Sequence, residues 1–496
     1  MPLSIGRPVA ILGPPGSLPA LDGVFFCPVS RDGAVWQPDR SMNTTQSQTS
    51  LPPCDHVPQP YEGPTRADVL ALRREFVAPA VFAYYKKPLQ IVEGHMQYLW
   101  DETGRRYLDA LAGVASVNVG HCHPRLVKAV REQVGKLMHT TTIYLHPHLG
   151  AYARRLAECF PADSGLEVTY LTNSGSEAND LATLMARLYT GAFDVISLRN
   201  GYHGGTQTTM GLTAMGNWKH PLPHSFGVRH ACPAYCYRCP YGLEYPSCNV
   251  RCARDVAALI DYETSGKIAA FIAEPIQGAG GVIDPPPEYF PIVYEIVRAH
   301  GGLCISDEVQ TGFARTGTHL WGFEHFQVVP DIVSMAKGMG SGAPLGGIIT
   351  RRDLAESLGE ALHFNTFAGN PVSVIQGLTT LEILEEEDLA ARSQRIGSYL
   401  KERLLDLMRT QPLIGDVRGR GLMLGVELVI DRDTREPASD LAAQVHEGLK
   451  DRQVLVGRGG VYANVLRIKP PLCFSRADAD FLADRLDETL QAVGTP

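Results

Sequence analysis

Pro330-Asp331-Ile332-Val333-Ser334-Met335-Ala336-Lys337-Gly338 runs from a proline through an apolar segment into a lysine, then directly into the glycine-rich Gly338-Met339-Gly340-Ser341-Gly342. A short apolar run bounded by turn formers predicts a buried strand. About thirty residues upstream, Gly301-Gly302-Leu303-Cys304-Ile305-Ser306-Asp307-Glu308-Val309-Gln310 has the same construction and ends in an acid. An amine and an acid at the carboxyl ends of neighbouring buried strands lie where open α/β sheets gather ligand chemistry. Lys337 and Asp307 are therefore the first candidate catalytic residues. An amine that condenses with an aldehyde, beside a carboxylate that keeps a ring nitrogen protonated, is the pair that pyridoxal phosphate requires. Ser334-x-x-Lys337 also matches the S-x-x-K motif of penicillin-recognising serine enzymes. That motif opens a helix and travels with S-D-N and K-T-G, and neither companion occurs in this chain.

Outward from this pair, strand-like runs alternate with helical spacing. Val168-Thr169-Tyr170-Leu171, Val195-Ile196-Ser197-Leu198 and Ala269-Ala270-Phe271-Ile272-Ala273 are the clearest runs. Alternation of this kind predicts an α/β fold with a mostly parallel sheet covered on both faces. The large domain is expected over 115–375, and a smaller α+β domain over 376–496, completed by 63–114. Within 75–110 a helix is expected ahead of the strands Gln97–Trp100 and Arg106–Asp109. A long helix is expected after Asn370-Pro371, and strands at Leu422–Leu428 and Val465–Ile468.

Thr172-Asn173-Ser174-Gly175-Ser176-Glu177-Ala178-Asn179 follows one strand and precedes a helical stretch with apolar residues at Leu181, Leu184, Met185 and Leu188. A small-residue loop entering a helix leaves free N–H groups at the positive end of the dipole, which suits a phosphate. Gly175 permits close approach and Ser176 adds a hydroxyl. Taken alone this would be an ordinary serine N-cap; beside Lys337 and Asp307 it reads as a phosphate cradle. In Asn200-Gly201-Tyr202-His203-Gly204-Gly205, an aromatic residue among glycines is placed to stack on a planar ring.

Ser306-Asp307-Glu308-Val309-Gln310-Thr311-Gly312 and Met335-Ala336-Lys337-Gly338 resemble segments of the class III aminotransferases, which have the type I pyridoxal-phosphate transferase fold. The resemblance spans roughly residues 75 to 490. Val119-Gly120-His121-Cys122-His123-Pro124, the run from Asn173 to Arg187, and His363-Phe364-Asn365-Thr366-Phe367 are most similar to the mitochondrial-type alanine–glyoxylate branch and its bacterial relatives. The resemblance implies that Tyr202 stacks on the cofactor ring, that Gln310 bonds its ring hydroxyl oxygen with Glu274 nearby, and that Thr366 reaches the phosphate of a partner subunit. It thus implies a homodimer, or a dimer of dimers, with shared sites. It also gives Arg467, in Leu466-Arg467-Ile468-Lys469-Pro470-Pro471-Leu472, the substrate carboxylate, which a guanidinium can grip with two parallel bonds. Relatives acting on ω-amines carry a glutamate after the Pro-Ile-Gln-Gly turn that pairs with this arginine; here the position is Ala279. The implied activity is transfer of an amino group from alanine or a β-amino acid to glyoxylate or pyruvate in two half-reactions. A phospholyase acting on a phosphorylated amino alcohol, and a 4-aminobutyrate-like transaminase, are the alternatives.

Composition agrees with a globular enzyme: 496 residues, 44% hydrophobic and 20% charged. A net charge of −8 with scattered basic residues argues against a nucleic-acid partner. No run reaches the roughly 18 apolar residues of a membrane helix. Residues 1–62 are rich in Pro, Gly, Ser and Thr, with Arg7, Arg31 and Arg40 balanced by Asp22, Asp32 and Asp39. This is expected to be a loosely ordered extension and not a transit peptide, which would be basic and poor in acids. Met42 is an alternative start. The location expected is cytoplasmic, or the mitochondrial matrix in a eukaryote. Cys236-x2-Cys239-x8-Cys248-x3-Cys252, in an insertion over about 230–254, has spacing open to zinc, to disulfides or to an adorned surface loop. No catalytic metal is expected.

Overall fold

The computed structural model describes residues 50–221, 224–359 and 362–494. The first strands, β1 (Ile91–His95), β2 (Tyr98–Asp101) and β3 (Arg106–Asp109), form an antiparallel meander. The next seven, β4 (Val168–Thr172), β5 (Val195–Leu198), β6 (Val228–Ala231), β7 (Ala270–Ala273), β8 (Leu303–Asp307), β9 (Ile332–Met335) and β10 (Gly346–Thr350), build one sheet in the order β4-β10-β9-β8-β7-β5-β6. Only β10 runs antiparallel to its neighbours, β4 and β9. The remaining strands are β11 (Ile414–Arg420), β12 (Met423–Leu428), β13 (Val454–Leu455), β14 (Gly457–Gly459) and β15 (Val465–Ile468). Four of them make an antiparallel sheet, β11-β12-β15-β14, while β13 pairs parallel with β3 and so joins the meander to the C-terminal part.

The large sheet is apolar on both faces, so its strands read as unbroken hydrophobic runs. Along β7, Ala270 and Ile272 pack in one core with Ile305, Ile332 and the helix Gly175–Thr190. Phe271 and Ala273 face the opposite core with the helices Arg251–Glu263 and Tyr289–Ala299. The Gly175–Thr190 helix buries Ala178, Leu181, Ala182 and Met185, the i, i+3, i+4, i+7 spacing of one face. Leu184 and Leu188, the other apolar residues of this stretch, are exposed.

The helix expected within 75–110 lies earlier, at Arg66–Phe76. A reciprocal cap between Thr65 and Asp68 starts it. Pro79 follows its end, and a proline cannot extend a helix. The helix after Asn370 is Pro371–Glu386, with Asn370 Oδ1 accepting from the Ser373 N–H at 3.0 Å. Of the extension, residues 1–49 lie outside the described residues. Residues 50–62 contain no helix or strand, yet Arg106 donates to the Pro52 carbonyl at 2.7 Å, His56 meets Glu93 at 2.5 Å, and Leu51 and Cys54 pack on the core.

Candidate active site

The order β7-β8-β9 sets three strand ends side by side, and each carries a polar residue. Glu274 follows β7, Asp307 ends β8, and Lys337 follows β9 by two residues. All three line a cavity of about 340 Å³, together with Gly175, Ser176, Tyr202 and Gln310.

Asp307 is buried and its burial is compensated. Asn179 Nδ2 donates to Oδ2 at 2.8 Å, His203 Nδ1 lies 2.7 Å from the same oxygen, and the Val309 N–H donates to Oδ1 at 3.1 Å. Glu274 accepts from the Tyr202 N–H at 3.0 Å and the Gly278 N–H at 2.7 Å. Burial first, and then the nearby Asp307, push its carboxyl pKa upward. Lys337 opens a short 3-10 turn with φ +47°, a left-handed backbone that costs energy for a residue bearing Cβ and is typical of functional sites. Burial lowers its ammonium pKa, Asp307 and Glu274 oppose the shift, and Arg467 adds to it. Gly338 must follow, because a Cβ there would sit 2.4 Å from Asn118 Nδ2.

At the helix Gly175–Thr190, Ser174 is the N-cap: its Oγ accepts from the Glu177 N–H at 3.2 Å. The remaining first-turn amides have no intrahelical acceptor, as in every helix. Gly175 packs against Val309, where a Cβ would lie 3.0 Å from the valine methyls, and Ser176 Oγ accepts from the Gly205 N–H at 3.1 Å. The Tyr202 ring meets Trp218 at 5.0 Å in an edge arrangement.

Arg467 and Thr366 are not on the cavity wall. Arg467 sits on β15, where its cross-strand neighbours are Gly425 on β12 and Gly457 on β14. Gly459 leaves room for its guanidinium, since a Cβ there would lie 2.6 Å from Arg467 Nε, and the guanidinium donates to the Arg458 carbonyl at 3.0 Å. Thr366 is exposed on a loop tied down by Asn365, whose Oδ1 accepts from Asn173 Nδ2 at 2.9 Å. Ser334 lies inside β9 with its hydroxyl buried, not at the start of a helix, so the S-x-x-K reading fails. Cys236, Cys239, Cys248 and Cys252 line one small cavity of about 20 Å³, remote in sequence from Lys337, and all four thiols are free. Among the described residues, no group of His, Cys, Asp or Glu is arranged to hold a metal ion.

Three residues here carried no assignment in the sequence: Asn179, His203 and Lys469. Asn179 is one helical turn past Ser176, and that spacing was the available signal. His203 and Lys469 had none, since their partners Asp307 and Gln310 are distant in sequence.

The wall offers an amine, a carboxylate able to hold a proton on a ring nitrogen, an aromatic ring and a helix N-terminus suited to phosphate. These groups fit pyridoxal phosphate. Asn179 Oδ1 and His203 Nε2, both buried at this wall, have no hydrogen-bond partner within the protein, as befits atoms that meet a ligand or water.

Fold and site define a type I pyridoxal-phosphate enzyme, and solved transaminases share the architecture. The sequence profile of the class III aminotransferases matches residues 82–490, and the chain belongs to that family, whose members use pyridoxal phosphate on small amino and oxo acids. It is 48% identical over 451 residues to alanine–glyoxylate aminotransferase 2 homolog 2, mitochondrial, of Arabidopsis thaliana, covering 91% of this chain and 93% of that one. It is 41% identical to the mitochondrial alanine–glyoxylate aminotransferase 2 of Homo sapiens, covering 88% of each. A phospholyase from Arthrobacter, solved in complex with phosphoethanolamine, superposes with a TM-score of 0.79 at 35% identity, covering 86% of this chain and 100% of that one.

Proposed function

We propose that this chain transfers an amino group from alanine or a β-amino acid to glyoxylate or pyruvate, in two half-reactions of ping-pong type. The observation that carries the choice of substrate is Arg467. Among the described residues it has no carboxylate within ion-pair distance, and its guanidinium donates to the Arg458 carbonyl. Ala279, whose carbonyl accepts from the Gly460 N–H at 3.0 Å beside β14, brings no acid to this corner. An arginine that stays available suits substrates that all carry an α-carboxylate, and argues against a 4-aminobutyrate-like donor. The names of the two relatives support the alanine–glyoxylate pair and a mitochondrial location, with the cytoplasm as the alternative.

When bound, pyridoxal phosphate supplies an electron sink for the carbanion formed at the substrate Cα. Lys337 would act as the base: burial lowers its ammonium pKa, which leaves more neutral amine to take the substrate Cα proton. Asp307, oriented by Asn179 and His203, holds the proton on the ring nitrogen. The Ser174–Ser176 loop and helix terminus grip the phosphate, Tyr202 covers the ring, and Gln310 meets its hydroxyl oxygen with Glu274 behind. Thr366 reaches the phosphate of the partner in a homodimer.

A phospholyase activity on a phosphorylated amino alcohol is the second reading, favoured by the likeness to the Arthrobacter enzyme. One experiment separates the two. The visible spectrum of the cofactor-loaded protein is recorded, L-alanine is added without acceptor, and glyoxylate follows. Loss of the cofactor band with alanine and its return with glyoxylate is the expected result. A band indifferent to alanine, with phosphate released from phosphoethanolamine, overturns the transaminase reading.

A further inference from the structure

Lys469 follows β15 directly and is fully buried. Its backbone N–H donates to the Ala110 carbonyl at 2.8 Å, and its Nζ donates to Gln310 Oε1 at 2.7 Å. Gln310 is itself buried and lines the cavity beside Asp307 and Lys337. Its amide is pressed against Gly278, where a Cβ would lie 2.5 Å from Nε2 and 2.6 Å from Cδ. The amide is thus confined on one side by a glycine and tied at one atom by a lysine.

A lysine nitrogen next to a side-chain amide can only donate while it is an ammonium, and as a neutral amine it still has donors to give. The amide atom it holds is therefore the carbonyl oxygen, which leaves the NH2 group to meet a ligand. We propose that Lys469 is a positioning residue that fixes the flip of the Gln310 amide, so that the site presents an N–H donor to the ring oxygen of the bound cofactor. This rests on the cofactor reading given above. Arg467, Glu274, Lys337 and Arg315 surround Lys469, and burial with these cations pushes its pKa well down, Glu274 opposing. As an ammonium Lys469 can only donate and so holds the amide by its oxygen; a neutral amine could also accept from the NH2 group, so it is the Nζ–Oε1 contact at 2.7 Å that sets the flip.

The test is a double-mutant cycle on the full-length protein, using Lys469→Met, Gln310→Ala and the pair. Pyridoxal phosphate is titrated into each apo protein and its affinity read from the visible band, with the wavelength of that band as a second readout. Lys469→Met is expected to weaken binding about tenfold and shift the band in the wild-type background, and to change affinity less than about twofold when Gln310 is already alanine. Equal losses in both backgrounds, or no loss in either, overturn the proposal, because a merely structural lysine would act without Gln310. Lys469→Gln enters the same cycle, with the same coupling expected, where Lys469→Met fails to fold. A wild-type protein that gains no band with pyridoxal phosphate sinks the cofactor reading and this proposal together, and so is distinguished from failure of the cycle alone.

Discussion

Asp307 is held by two buried side chains, and the role proposed for it makes those neighbours testable. Its Oδ2 is held by Asn179 at 2.8 Å and by His203 at 2.7 Å. Asn179→Ala removes one of these and also frees the His203 carbonyl, to which the same amide donates at 2.8 Å. A buried charged group that loses one hydrogen bond costs about 1–3 kcal/mol, so cofactor affinity should fall about 10- to 100-fold with the fold intact. Spectroscopic titration with pyridoxal phosphate, alongside circular dichroism, checks this; undiminished affinity would show that Asn179 is dispensable. Arg467→Ala makes a different prediction. Losing a bidentate carboxylate contact costs about 2–5 kcal/mol, so kcat/KM for alanine should drop at least about 30-fold, while a simple amine lacking the carboxylate keeps its rate. Equal losses on both substrates would remove Arg467 from carboxylate binding. Lys337 and Asp307 were legible because each ends an apolar run. Asn179, His203 and Lys469 were not, because their roles come from contacts across the fold that local pattern does not encode.

At the scale of elements, the strands of the large sheet were legible for the same reason that they are buried. Val195–Leu198 occupies the span read from the sequence, since both faces need apolar side chains; Val465–Ile468, in the smaller antiparallel sheet, also falls where it was read. β10, Gly346–Thr350, escaped notice, as two glycines at its start dilute the signal, and so did β14, Gly457–Gly459, where glycine makes room for Arg467. The helix Ser439–Asp451 carries His446, which links it to the N-terminal segment: the ring stacks on Tyr85 at 4.5 Å and Nε2 lies 3.1 Å from the Val456 carbonyl. Burial first, then Arg458, pull the His446 pKa down from 6.5 to about 4. Below pH 6.5 the unfolded chain takes up a proton that the folded chain refuses, so this stability is present above that pH and is lost as pH falls toward 4. At pH 5 the loss should be about 2 kcal/mol. Urea unfolding at pH 7.5 and pH 5.0 should show it in the wild type, and His446→Phe, less stable throughout, should lack that part of the acid dependence. Parallel pH slopes in the two proteins would assign the effect elsewhere.

Among the described residues, an exposed apolar surface is left unexplained by a single copy. Met138, Ile143, Tyr144 and Leu145 on one segment, and Leu362, Phe364 and Phe367 on another, are all exposed. The segments adjoin: the His139 and Phe367 rings are 5.2 Å apart, and Thr142 and Leu149 border Gly369. Clustered large apolar side chains on a surface mark an interface. Thr366, the phosphate contact that the family resemblance assigns to a partner subunit, lies within this cluster, and it is absent from the cavity wall of its own chain. Sequence pattern cannot reveal such a surface, because a residue buried by a second copy reads like any other core residue. Leu145→Asp combined with Phe367→Asp places two charges there, and charges at an interface core are costly. Sedimentation velocity should show the wild type as a dimer and the double variant as a monomer. If the site needs the partner's loop, the monomer should also bind pyridoxal phosphate more weakly, and raising protein concentration should restore part of the binding by mass action. A variant that remains dimeric would move the interface off this face. A monomer that binds the cofactor as tightly as the wild type would keep the interface and remove Thr366 from the phosphate site.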